Sequence, residues 1–278
     1  MTPHQADIEH LSWLILGGCP RSGTMMMQTL INSHPQIRLT TELSLFRTLE
    51  HLKSAFIREV EFLQWQERAK SHKETWTKDS VAPFIPRYRR CAGRMLRAMY
   101  EAQFDAQIDL QAVHHFGDKH PQYYEHDVEA LAQLIGPIRI IHISRHPVDV
   151  VNSMLRRSRN AQRGQDTWSL TRTIEDGCQH WARAWNAANV LSTRYGTRFT
   201  HVKYEDCLNA TALCMQQLAD ALGVEDKFET SSIVPEDPEA RDLVTASDID
   251  RINGLLRGLP SRWSEPLETL GAEFAVLP

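Results

Sequence analysis

The stretch LSWLILGGCPRSGTMMMQTL, residues 11–30, decides how this chain folds. Its first part is an apolar run rich in aromatic and aliphatic residues, the signature of a buried strand. Gly17-Gly18-Cys19-Pro20-Arg21-Ser22-Gly23-Thr24 follows, a small, flexible turn carrying one cation. From Met25 to Leu30 no Gly or Pro interrupts the chain, so a helix is expected. Strand, glycine loop and helix together form a cradle for an anion: backbone N–H groups line the loop, and the helix start adds donors of its own. Gly18 and Gly23 keep the glycine spacing of the triphosphate loop GxxxxGK[ST], but Thr24 follows directly and the lysine is missing. That lysine reaches the outer phosphates of a triphosphate, beside a metal. Arg21 instead offers a planar fork to two oxygens of one anionic group. A shorter, metal-free anion is therefore expected, with an ordinary Gly-Pro turn as the plain alternative.

Outward from the loop, strands and helices alternate. The helix is expected from Gly23 to Asn32 or Ser33, stopped by His34-Pro35, since a residue before proline disfavours helix. Gln36 to Leu39 reads as a short strand. Phe46 to Lys70 carries apolar residues at three- and four-residue steps and reads as an amphipathic helix. Ser71 to Pro86 reads as a loop, and Tyr88 to Leu110 as an arginine-rich helix. Ala112 to Phe116 is expected as a strand giving way to a Gly117-Asp118-Lys119-His120-Pro121 turn, with a helix from Tyr123 to Ile135. Ile138 to Ser144 (IRIIHIS) is continuous, apolar and β-branched, as a central parallel strand is. Pro147 sits where proline suits a helix start. Arg156 to Gly164 (RRSRNAQRG) is polar and glycine-ended, and is expected to begin a mobile basic loop over residues 156–170. Helices are expected from Thr173 to Thr193 and from Cys207 to Leu222, with a strand from Phe199 to Tyr204 between them. Ser247-Asp248-Ile249-Asp250 opens a short helix, and Leu267 to Phe274 reads as another. The alternation implies one α/β domain over residues 1–278: a P-loop-like central parallel sheet flanked by helices on both faces, with a helical insert at residues 46–110.

Composition narrows the function. The chain has 278 residues, 42% of them hydrophobic, and a formal net charge of −4, which argues against broad nucleic-acid binding through charge. The N-terminus lacks the basic region of a signal peptide, and no apolar run approaches the ~20 residues of a membrane helix. Cys19, Cys91, Cys178, Cys207 and Cys214 form no metal-ligand pairs. They read as reduced thiols in a cytoplasmic protein.

Pro20-Arg21-Ser22-Gly23-Thr24 resembles the 5′-phosphosulfate loop of sulfotransferases that use 3′-phosphoadenosine-5′-phosphosulfate (PAPS), in the variant of tyrosylprotein sulfotransferases and their soluble bacterial relatives. The similarity continues through Leu30-Ile31-Asn32-Ser33-His34-Pro35 to Glu42 and returns in separate blocks, outside the long middle segment and the tail. Animal tyrosylprotein sulfotransferases carry a membrane anchor, which this chain is expected to lack.

The resemblance implies a role for each block. Arg21, Ser22, Gly23 and Thr24, with Pro20, would cradle the 5′-phosphosulfate. Ser144-Arg145-His146-Pro147-Val148-Asp149 to Ser153 resembles the 3′-phosphate motif, where Arg145 gives bidentate contact and Ser153 a hydroxyl donor. Glu42 stands at the separation from Arg21 seen for the family's catalytic glutamate, so it would take the acceptor's proton. His114 and His115 are competing bases, although a histidine within a strand reads first as a core residue. Lys119 would stabilise charge growing on the departing 5′-phosphate, together with Arg21. Tyr204 matches a tyrosine near the phosphosulfate, or packs the core at a strand end. The four clusters each follow a predicted strand, and ligands bind beyond the carboxyl ends of parallel strands.

The reading is thus a sulfotransferase that moves a sulfuryl group from PAPS, without a metal, to a hydroxyl of a carbohydrate, lipid, phenol or other metabolite. The rivals are a P-loop kinase or ATPase-like phosphotransferase, and a non-catalytic PAP-binding protein. The acceptor and the oligomeric state stay open, with a homodimer among the options.

Overall fold

A computed structural model describes residues 12–42, 112–167, 171–232 and 243–257, with isolated positions 51, 54 and 58. The helices expected at 46–70, 88–110 and 267–274, and the loop at 71–86, lie outside these. Five strands, β1 (Ser12–Gly18), β2 (Ile37–Thr41), β3 (His115–Lys119), β4 (Ile138–Ser144) and β5 (Phe199–Lys203), form one sheet in the order β2-β3-β1-β4-β5. All neighbours pair in parallel. The helices are α1 (Thr24–Ser33), α2 (Val128–Ile135), α3 (Pro147–Gln162), α4 (Ile174–Tyr195), α5 (Tyr204–Asn209), α6 (Thr211–Leu222) and α7 (Ala246–Leu255).

Strand side chains alternate between faces. Leu14 and Leu16 of β1 enter one core with Met27, Leu30, Met215 and Leu218 from α1 and α6. Trp13 and Ile15 enter the opposite core with Phe116, Ile138 and Ile140. A third cluster joins Val150, Val151 and Met154 of α3 to Trp181 and Trp185 of α4, whose rings stack at 5.4 Å. α1 therefore leaves β1 on one face and α3 leaves β4 on the other. The strand order reverses direction between β1 and β4, the switch point beyond whose carboxyl ends such sheets bind ligands.

Five expectations change. β3 runs to Lys119, so Gly117-Asp118-Lys119 is strand and not turn. Polar residues hid it: Asp118 is fully buried and accepts from the Thr40 hydroxyl at 2.6 Å. Gly117 is there because a Cβ would lie 1.5 Å from the Leu14 carbonyl oxygen. The mobile basic loop is, through Gln162, the last two turns of α3. Arg157 grips Asp166 with two bonds of 2.5 and 2.6 Å, Ser158 is buried, and Gly164 turns the chain at φ 72. Polarity masked the helix because only one stripe needs burial. The helix expected from Tyr123 is a short 3-10 turn, Tyr123–Glu125, before α2, and the helix expected from Cys207 is divided at Ala210. Finally, Cys207 and Cys214 are joined as a disulfide across that division, so they are not the reduced thiols expected; Cys19 and Cys178 are free and buried.

Candidate active site

The loop between β1 and α1 has the shape the sequence implies. Gly23 has φ 91, a conformation a Cβ disfavours, and a Cβ there would lie 2.3 Å from the Tyr204 ring. α1 starts with no side-chain cap and no acidic residue in its first turn. Its terminal N–H groups, with the positive end of the helix dipole, stand just beyond the carboxyl end of β1. Pro20 and Thr24 are buried supports. The Ser22 N–H donates to the Cys19 carbonyl at 3.0 Å, and its hydroxyl is fully buried beside His142, Ser144 and Trp181.

Arg21 has φ 75 and Glu42 φ 49, and among the described residues no other non-glycine residue has positive φ. Such conformations cost ~1–3 kcal/mol each and gather at functional sites. From its strained position Arg21 donates through Nε to Ser153 Oγ at 3.0 Å, across 132 residues of sequence. The 5′ grip and the 3′ grip expected from separate motifs therefore touch. A second contact joins them: the Arg145 guanidinium lies 4.5 Å from the centre of the Tyr204 ring, and that ring packs on Gly23. A cation–π contact of this kind is worth ~0.5–2 kcal/mol and aligns the guanidinium. The Arg145 carbonyl is held by Trp181 Nε1 at 2.9 Å. Tyr204 is buried, so its core role and its place at the site coincide.

Lys119 and Glu42 close the other side. The Lys119 side chain is 2% exposed and its Nζ is paired with Glu42 Oε1, whose side chain is 52% exposed. The Glu42 N–H donates to the Lys119 carbonyl at 3.0 Å, extending the β2–β3 ladder by one bond. Glu42 thus keeps one oxygen on a buried cation while its carboxylate remains open to solvent. His114 and His115 stand at the amino end of β3: His115 pairs with Ser12 and Ile37, whereas Lys119 pairs with Leu16 and Thr41. Four residue steps separate the two rims, ~13 Å along the strand. His115 is buried, its Nε2–H donating to the Leu222 carbonyl at 2.9 Å, and burial pushes its pKa down to about 4. It is a core residue.

Two residues at the site escaped the sequence reading. Glu205 Oε1 accepts from the His146 N–H at 2.9 Å, capping the entry to α3, and burial raises its pKa. Its only sequence signal is its place after Tyr204. Gln28 lies in α1 and, though polar, is buried. Among the described residues no group of three or more His, Cys, Asp or Glu is placed to hold a metal, and no helix is long and apolar enough to cross a membrane.

The model of the sulfotransferase family matches residues 14–229. No curated protein matches. Solved structures similar to this chain include the sulfotransferase domain of the Synechococcus PCC 7002 olefin synthase, at 18% identity and TM-score 0.48, covering 87% of this chain and 93% of that one. A sulfotransferase from Alicyclobacillus acidocaldarius is 16% identical with TM-score 0.47, over 88% and 95% of the two chains. A mouse sulfotransferase solved with PAP is 12% identical with TM-score 0.42, over 88% and 64%.

Proposed function

The chain belongs to the sulfotransferase family, and on that premise we propose that it transfers a sulfuryl group from PAPS to a hydroxyl acceptor with Glu42 as general base. The observation that carries this reading is the Arg21–Ser153 bond, which joins the two expected anion grips into one surface.

In the proposed reaction the acceptor hydroxyl gives its proton to Glu42 as its oxygen bonds to sulfur. The bond between sulfur and the bridging oxygen of the 5′-phosphate breaks, and the bisphosphate leaves with the electron pair. Arg21 and Lys119 stabilise the charge gathering on that phosphate, the term that is usually largest in such transfers. Arg145 and Ser153 hold the 3′-phosphate, with Tyr204 fixing Arg145 from below. The pairing of Lys119 with Glu42 supports assigning both to one reacting centre. The acceptor is a carbohydrate, lipid, phenol or other metabolite able to reach the exposed face of Glu42.

Thermal shift tests the donor. Adenosine 3′,5′-bisphosphate is expected to raise the melting temperature, since a ligand that binds only the native state stabilises it. Stabilisation by ATP with Mg²⁺ instead would favour a phosphotransferase. Product formation from labelled PAPS over a panel of sugars, phenols, tyrosyl peptides and lipids identifies the acceptor class, and binding without transfer would mark a non-catalytic nucleotide-binding protein.

A further inference from the structure

We infer that Gln28 is a positioning residue for Glu42, linking the helix behind the anion loop to the carboxylate; this rests on the role proposed for Glu42. Among the described residues β2 is an edge strand, paired with β3 alone. Its outer edge would leave backbone groups without strand partners, and α1 supplies side chains in their place. Gln28 Nε2 lies 2.9 Å from the Thr40 carbonyl, 3.2 Å from the Leu39 carbonyl and 2.8 Å from Thr41 Oγ1. The Thr41 hydroxyl lies 3.1 Å from Gln28 Oε1, positioned to donate in return. One turn on, Asn32 takes the Leu39 N–H at 2.7 Å and donates to the Leu39 carbonyl at 2.9 Å.

These contacts end one residue before Glu42. The Glu42 backbone is strained at φ 49, and its N–H bond to Lys119 holds it from the β3 side. Gln28 holds the residue before it, Thr41, from the α1 side. Only a side chain with both amide hydrogens and an oxygen serves here: a carboxylate cannot donate to the two carbonyls, and a hydrocarbon can do neither. α1 also carries the anion loop at its first residue. The distance between the loop and Glu42 is therefore set within one helix and one buried amide, and a misplacement near 1 Å can cost ~100-fold in rate.

Gln28→Leu keeps the volume and removes every bond. Turnover of labelled PAPS on the acceptor panel is expected to fall tenfold or more, while the affinity for adenosine 3′,5′-bisphosphate and the KM for PAPS stay unchanged. Amide exchange at Thr41 and Glu42 should quicken and exchange in β1 should not. In a Glu42→Ala background Gln28→Leu should add no further loss, since residues acting as a unit are non-additive. Full turnover in Gln28→Leu overturns the inference. So does a parallel loss of bisphosphate affinity, the mark of a merely structural amide. Should Gln28→Leu fail to fold, Thr41→Val removes the hydroxyl end of the same contact, and a smaller turnover loss with intact bisphosphate affinity is expected; unchanged turnover would again overturn it. Exchange separates the two ideas. Faster exchange at Glu42 together with an active Glu42→Ala variant sinks the base and not the clamp, whereas unaltered exchange with an inactive Glu42→Ala sinks the clamp alone.

Discussion

The two ends of β3 are four residues apart, and they are built for opposite purposes. At the amino end His115 is buried and kept neutral by that burial, with its Nε2–H taken by the Leu222 carbonyl, and its neighbours likewise bond to carbonyls. Arg139 donates to the Ala221 carbonyl at 2.8 Å, and His34 bonds the Glu225 carbonyl at 2.8 Å. At the carboxyl end Lys119 is as buried, but its partner is the exposed carboxylate of Glu42, and Arg21 and Arg145 lie along the same rim. The contrast follows from the polarity of a parallel sheet. Helices that leave the carboxyl ends present N–H groups and positive dipole ends, while helices that return to the amino ends present carbonyls. Donors and cations at the amino end, such as Arg139 at the C-terminus of α6, are satisfied within the protein. At the carboxyl end donor is added to donor, which leaves the rim suited to an anion.

The most severe test of this contrast is the proposed reacting pair. Glu42→Ala is expected to lower turnover of labelled PAPS by ~10²–10⁴-fold, the range for removing a general base, and to leave the thermal shift from adenosine 3′,5′-bisphosphate intact. Lys119→Ala is expected to cost ~10²–10³-fold. Undiminished turnover in both would strip the carboxyl rim of its chemistry. A smaller effect separates the rims by binding. Arg145→Ala should weaken bisphosphate affinity by roughly 10–100-fold, equivalent to ~1.5–3 kcal/mol for a charged hydrogen bond, as read by calorimetry, and Arg139→Ala should leave it unchanged. Equal losses would mean that the two ends do not differ as described.

The smallest effect belongs to the amino end and concerns stability. The folded His115 titrates at about 4 against an ordinary 6.5, because burial disfavours its charged form. Above pH 6.5 the imidazole is neutral in both states, and stability is complete. As the pH falls from 6.5 towards 4 the unfolded chain binds a proton that the folded chain refuses, so stability declines, by at most ~3 kcal/mol from this group. Urea denaturation across that range should show a decline to which His120 and His201 also contribute, and His115→Gln should lessen it by this group's share. An unaltered slope would place the titration on another histidine.

Legibility followed the kind of interaction that forms each element. β1 and β4 are largely apolar runs whose burial needs no partner to be named, and they stand within a residue of where the pattern places them. β3 was misplaced because its carboxyl half is Gly117, Asp118 and Lys119, each justified only by a neighbour: the Leu14 carbonyl, the Thr40 hydroxyl and Glu42. The helix through Arg156 to Gln162 was hidden because its buried stripe begins upstream, at Val150 and Val151. The disulfide between Cys207 and Cys214 depended on the break at Ala210, which no residue pattern marks.

The sequence by itself determined that an anion loop follows the first strand, that parallel strands and helices alternate after it, and which side chains carry the charge. These are local matters of glycine spacing, periodicity and residue chemistry. Only the tertiary structure decided that Arg21 meets Ser153, that Lys119 meets Glu42, that Gln28 holds the strand between them, and that His115 stands at the wrong end to act on the same substrate. Each depends on the strand order β2-β3-β1-β4-β5 and its register, and that order comes from packing two faces of a sheet between residues distant in the chain, which no local pattern encodes.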